Sequence, residues 1–267
     1  MMRCDLDSHH LGYDISGPED APAVLLSHCF AGNRHVWDEQ LPALSAYRTI
    51  RYDTRGHGES GLPPGPYQLD DLGNDVIGLL DALGIEQVRY FGISMGGRVG
   101  QNIALRFPHR LASLGLVTTT VASQEEELED RRDRMASVRR EGIAAQHDRN
   151  MQRWFTEQAL RDQIPGVRTM SAAFHSFSAQ AFEWISGAIL HDSTRADDLS
   201  RIALPTLIVA SPDDPGVPRE VSEQMHAAIA GSEFHWLSPA MHLATLEHGT
   251  RFNRIMVDFL DRLPKQA

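Results

Sequence analysis

The residue types able to do chemistry converge on one stretch, Gly92-Ile93-Ser94-Met95-Gly96-Gly97. A serine hydroxyl is a weak nucleophile at neutral pH. It needs a histidine base within hydrogen-bond reach and a carboxylate that fixes the histidine's tautomer. Gly-x-Ser-x-Gly is the signature of a tight strand-to-helix turn that lifts the serine above a sheet edge. The apolar run Val88 to Phe91 before it predicts a buried strand, and Met95, Val99 and Ile103 after it recur at helical spacing. The first N–H groups of that helix, with its positive dipole end, would face the serine where negative charge develops in acyl transfer. Alone, the five-residue pattern also describes a glycine-rich turn that happens to hold a serine, so the partners decide.

In the strand-turn-helix nucleophile fold the acid and then the histidine follow the serine. His242 stands in a loop after the last strand and before the last helix, where the base is needed. His226 falls inside a helix, His235 inside a strand, and His248 at the solvated start of the final helix. For the acid, the loop after Val117 reads Thr118-Thr119-Thr120 and offers no carboxylate, whereas Ser211-Pro212-Asp213-Asp214 offers two. The spacing from the strand favours Asp214, with Asp213 as the alternative. An oxyanion hole needs two backbone N–H donors: Met95, directly after the serine, and Phe30, in the loop after the strand Val24 to Ser27. His28 reads as a brace for that loop. Cys29 reads as a reactive thiol or as a small buried residue.

The elements that must position these groups follow from pattern. Ala23 to Ser27 is a short continuous apolar run of the kind found in central parallel strands. His10 to Ser16, Arg48 to Tyr52, Leu111 to Val117, Thr206 to Ala210 and Glu233 to Leu237 complete the strands. Leu69, Leu72, Val76, Leu79, Leu80 and Leu83 mark one helix face that Gly84 closes. Phe252, Ile255, Met256, Phe259 and Leu263 mark the closing helix. This alternation predicts an α/β fold, a mostly parallel sheet with helices on both faces. Residues 121–199 carry no convincing strand and read as a helical cap inserted between core segments 1–120 and 200–267. Within the cap, Glu125-Glu126-Glu127 ahead of Arg131, Arg132 and Arg134 reads as a solvated helix face laced by Glu-to-Arg pairs.

Composition narrows the function classes. A net charge of −11 over 267 residues argues against a nucleic-acid-binding face. No stretch approaches the roughly 20 apolar residues of a membrane helix. Thirteen histidines are scattered without His-Glu-x-x-His or Cys-x-x-Cys spacing, so no metal site is expected. Cys4 and Cys29 do not make a disulfide framework, and the N-terminus shows no signal-peptide core; a reduced, cytoplasmic protein is expected.

Longer stretches carry a resemblance. Trp37-Asp38-x-Gln40, Arg51-Tyr52-Asp53-Thr54-Arg55-Gly56-His57-Gly58, Gly65-Pro66-Tyr67, Leu80-Asp81-Ala82-Leu83, Ser94-Met95-Gly96-Gly97 and Arg153-Trp154-Phe155-Thr156 resemble 3-oxoadipate enol-lactonases of the α/β-hydrolase superfamily. The similarity runs from residue 10 to 262 and includes the cap. It implies cofactor-free hydrolysis of a small-molecule ester or lactone, with a triad on Ser94, Asp214 and His242. It offers Arg153, beside Trp154, as the cation for a substrate carboxylate, the alternative being an exposed arginine. Two stretches depart from the lactonase pattern. The oxyanion loop Ser27-His28-Cys29-Phe30-Ala31-Gly32 is closer to general esterases and cofactor-free haloperoxidases, and Ala181 to Asp192 brings Trp184 and His191 to the cap. Trp184 joins Arg153 and Trp154 as a substrate-contacting candidate. The same triad also serves carbon–carbon bond hydrolysis or perhydrolysis, and a hydrolase fold can act as a ligand-binding protein with little turnover.

Overall fold

The computed structural model describes residues 2–121 and 125–264, and for 125–127 the backbone alone. The core half runs β1 (Met2–Asp5), β2 (His10–Ser16), β3 (Ala23–Ser27), β4 (Arg48–Tyr52), α1 (Leu69–Ala82), β5 (Val88–Ile93), α2 (Met95–Arg106) and β6 (Leu111–Val117). Five helices follow: α3 (Glu125–Glu141), α4 (His147–Trp154), α5 (Glu157–Asp162), α6 (Pro165–Ser176) and α7 (Ala179–Leu190). The chain then returns to the sheet with β7 (Thr206–Ala210), α8 (Arg219–Ala228), β8 (Glu233–Trp236), α9 (Ala244–Glu247) and α10 (Gly249–Asp261).

The eight strands lie in the order β1-β2-β4-β3-β5-β6-β7-β8. β1 and β2 are antiparallel to their neighbours, and the six strands from β4 to β8 are parallel. The continuous apolar runs follow from this. Every residue of β3, β5 and β7 is buried, because helices cover both faces. From β3 the chain passes first to β4 on one side and later to β5 on the other. The order therefore reverses between β3 and β5, and an open α/β sheet forms its binding crevice at the carboxyl ends of such a pair. Ser94 and the loop after β3 sit there.

Some boundaries differ from expectation. Met2–Asp5 is a strand although three of its four residues are exposed; it is an edge strand, held by pairing Cys4 with Leu11. The last strand stops at Trp236, one residue short of the expected Leu237. Between β6 and β7 the described residues form helices and turns without a strand.

Candidate active site

The turn at Ser94 is dictated by contact. A Cβ on Gly92 would stand 2.2 Å from the Gly96 backbone, and one on Gly96 would stand 2.5 Å from the Ser27 carbonyl oxygen. Only glycine leaves room for the strand and helix to meet so closely. Ser94 itself takes φ +53°, a left-handed conformation that costs a residue with a side chain of order 1 kcal/mol or more. The surroundings hold it there: its N–H donates to the Val117 carbonyl at 2.9 Å, and the Thr119 hydroxyl donates to its carbonyl at 2.7 Å.

Ser94, His242 and Asp214 lie in a line. The Ser94 hydroxyl is 2.8 Å from His242 Nε2, and His242 Nδ1 is 2.7 Å from Asp214 Oδ2. A carboxylate can only accept, so Nδ1 carries the proton and Nε2 presents its lone pair to the serine. The Asp214 side chain is fully buried, and its other oxygen accepts the Gly216 N–H at 2.7 Å. Asp213 turns outward, where it accepts from the Ser238 hydroxyl at 2.9 Å. His226 and His235 bond Ser232 and Glu233, and His248 bonds the Pro239 carbonyl, all away from Ser94.

A cleft of about 650 Å³, open solvent included, lies above the serine. Phe30 and Met95 line it beside Ser94, His242 and Asp214. The Met95 N–H is the first of α2 and has no intrahelical acceptor. The Phe30 N–H takes part in none of the backbone bonds of its loop. Cys29, one residue earlier, is buried against Met170, and burial pushes its thiol up to about 12. A thiol that stays protonated is no nucleophile at neutral pH.

Arg153 and Trp154 line the cleft from α4, and the Arg153 guanidinium also lies 3.5 Å from Asp130. Trp184 does not line it. Its indole covers Gly65, where a Cβ would meet the ring at 2.6 Å, and it packs edge-on against Tyr67 at 5.4 Å. The aromatic departure in the cap thus serves packing on the loop before α1. A second expectation is corrected on α3. Arg131 and Arg134, three residues apart on one helix face, line the cleft rather than solvent, and Arg134 is buried, whereas Arg132 between them is exposed. The side chains of Glu125, Glu126 and Glu127, proposed as partners of these arginines, lie outside the described residues. With Arg98 of α2, four arginines face one cleft of an acidic protein.

A family model described as the alpha/beta hydrolase fold matches residues 22–249. The chain belongs to that family. Over 253 residues the hydrolase is 32% identical to 3-oxoadipate enol-lactonase 2 of Acinetobacter baylyi, spanning 94% of this chain and 93% of that one. It superposes on the crystal structure of the enol-lactonase from Burkholderia xenovorans with a TM-score of 0.92 at 29% identity, covering 98% and 100% of the two chains. A thermophilic esterase from Thermogutta terrifontis, with malate bound, gives 0.91 at 26% identity, covering 98% and 99%.

Several residues at the hydrolase's site escape sequence reasoning. Glu247 accepts the Met241 N–H with one oxygen and the Thr156 N–H and hydroxyl with the other. The Leu243 N–H donates to the Trp154 carbonyl at 3.0 Å. The loop carrying His242 is thereby tied on both sides to the cap segment Arg153-Trp154-Phe155-Thr156, which gives that motif a physical reason. Arg98, one turn after Ser94, donates to Asp192 at 2.9 and 2.7 Å in a buried pair that fastens α2 to the end of α7. Among the described residues no group of three or more His, Cys, Asp or Glu could hold a metal ion, and no helix is long and apolar enough to cross a membrane.

Proposed function

We propose that this hydrolase cleaves a small carboxylic ester or lactone that carries a carboxylate, through an acyl-enzyme on Ser94. Ser94 Oγ attacks the carbonyl carbon while its proton passes to His242 Nε2. Asp214 keeps His242 in the productive tautomer and stabilises the imidazolium that forms. The carbonyl oxygen becomes an oxyanion held by the Phe30 and Met95 N–H groups. His242 returns the proton to the leaving oxygen as the carbon–oxygen bond breaks; in a lactone that oxygen stays tethered to the acyl group. Water, deprotonated by His242, then attacks the acyl-enzyme and releases Ser94. No cofactor is needed.

The observation that carries this reading is the unbroken relay from Ser94 through His242 to buried Asp214, at 2.8 and 2.7 Å, on the floor of the cleft. The arginine-lined wall supports an anionic substrate, and the similarity to enol-lactonases over almost the whole chain supports a lactone. Values of kcat/KM over a panel of paired neutral and carboxylate-bearing esters, lactones and enol-lactones test it. The reading expects the anionic member of each pair to be preferred. A uniform preference for neutral, bulky esters would remove the anionic substrate. Turnover of carbon–carbon substrates alone would replace ester hydrolysis altogether.

A further inference from the structure

Two buried imidazoles, His28 in the loop after β3 and His57 in the loop after β4, are unused by the chemistry above. His28 Nε2 accepts the Thr54 N–H at 2.9 Å, so its Nδ1 carries the proton and donates to the Cys29 carbonyl at 2.7 Å. His57 Nε2 accepts the Ala31 N–H at 3.2 Å, and its Nδ1 donates to the Arg55 carbonyl at 3.2 Å. Backbone N–H groups can only donate, so both rings must be neutral and both must be the Nδ1–H tautomer. Their rings meet edge to face at 4.9 Å, both are shielded from solvent, and burial lowers the pKa of each, that of His57 well below the ordinary value.

The two bonds bracket Phe30. A trans peptide is planar and points its C=O and N–H in opposite directions. The Cys29 carbonyl, held by His28 Nδ1–H and by the Gly32 N–H at 3.1 Å, therefore sets the direction of the Phe30 N–H. On the other side, Ala31 has φ +56°, a strained value for alanine that persists only where neighbours over-determine it. The acceptor on its N–H is His57. His57 is in turn stacked on Phe177 of the cap, ring centroids 4.4 Å apart, and Phe30 packs edge-on against Phe177 and Phe182. The loop is gripped from the sheet by imidazoles and from the cap by aromatic rings.

We propose that His28 and His57 are positioning residues of the oxyanion hole, fixing the peptides on either side of Phe30 so that its N–H is aimed before substrate arrives. The proposal rests on the acyl-enzyme reading. It separates them from buried imidazoles that merely fill polar space, because a positioning role acts only on species that carry an oxyanion.

The test uses a substitution pair at His57. Glutamine reaches the Nε2 position with an acceptor oxygen; asparagine places its amide near Nδ1 and leaves the Ala31 N–H without an acceptor. The readouts are kcat, KM and the affinity for a trifluoromethyl ketone, which Ser94 converts to a hemiketal oxyanion. His57→Asn should lower kcat and weaken the ketone in parallel, by about 10- to 100-fold, below the loss expected for deleting an oxyanion donor outright. KM should move less than about threefold, and His57→Gln should recover most of both losses. If His57→Asn does not fold, His28 gives the mirror pair: asparagine keeps the Nδ1-side donor to Cys29 and should outperform glutamine. Losses spread equally over KM and kcat, a ketone affinity unchanged beside a fallen kcat, or no difference between the amides would overturn the proposal. Failure of the acyl-enzyme reading is separate: it would show as a wild-type enzyme with no burst of leaving group and no hemiketal on Ser94.

Discussion

Glu247 and Thr156, 91 residues apart in sequence, are joined by two bonds to one oxygen: the Thr156 hydroxyl at 2.5 Å and its N–H at 3.1 Å. The other oxygen of Glu247 takes the Met241 N–H at 2.8 Å. Every group around this carboxylate is a donor. The cap wall that holds Trp154 and the loop that holds His242 consequently share one anchor, and movement of either is felt by the other.

Replacing Glu247 with glutamine turns one acceptor oxygen into a donor that faces donors. Stability should fall by about 2 kcal/mol in urea unfolding, the scale of a lost charge-assisted hydrogen bond. The kcat should fall by roughly tenfold, because His242 loses its fixed distance to Ser94. An unchanged kcat in a destabilised variant would reduce Glu247 to a fastener of the cap.

Asp214→Asn should be far more damaging than Asp213→Asn. A neutral amide at Asp214 favours the wrong His242 tautomer and has cost other triads about four orders of magnitude. Asp213 loses only its bond to the Ser238 hydroxyl. Steady-state kinetics on one ester decides it, and equal losses would move the acid away from Asp214.

Arg153→Ala should raise KM for anionic lactones about 30-fold, equivalent to about 2 kcal/mol for a charge-assisted contact, and leave neutral esters nearly unaffected. The ratio between the two substrate classes is the measurement. A parallel loss on both would assign Arg153 to the ion pair with Asp130 instead of to substrate.

Stability should depend on pH through His28 and His57. Both have folded pKa values below the ordinary 6.5, through burial, His57 also through the neighbouring His28. Around them stand Tyr52, Asp53 and Arg34; burial lowers the His28 pKa, Arg34 adds to it, and together they outweigh the upward pull of Asp53 and of the bond to the Cys29 carbonyl. The unfolded chain then binds more protons below pH 6.5. Their contribution is fully present above that value and is lost as pH falls toward the folded values, with a slope of up to about 1.4 kcal/mol per pH unit for each ring. Urea midpoints of the wild type and His57→Gln between pH 7 and 5 measure this. The variant should show the shallower slope, and identical slopes would refute the assignment for His57.

What the sequence revealed and what it concealed follow from the range of the interactions. Apolar runs such as Ala23 to Ser27 and the leucine face of α1 locate core elements because burial on one or both faces writes itself into local pattern. Ser94, Asp214 and His242, chosen from chain order and loop position, lie within hydrogen-bond reach because each loop ends a parallel strand at the same sheet edge. The edge strand Met2–Asp5 has no apolar pattern of its own and exists through its pairing with β2. In the cap, the roles of Arg131 and Trp184 depend on which way a helix face turns, and that is set by partners far along the chain. Glu247 and His57 act through backbone groups, and backbone groups leave no mark in a sequence.

The central claim is that Ser94 carries the acyl group. Rapid mixing with a p-nitrophenyl ester tests it most directly. The account predicts a burst of p-nitrophenol approaching one equivalent per active site whenever deacylation is the slower step, a matching mass increase on the peptide containing Ser94, and loss of both in Ser94→Ala with the fold intact. Near wild-type hydrolysis by Ser94→Ala, or an acyl adduct on another residue, would contradict it.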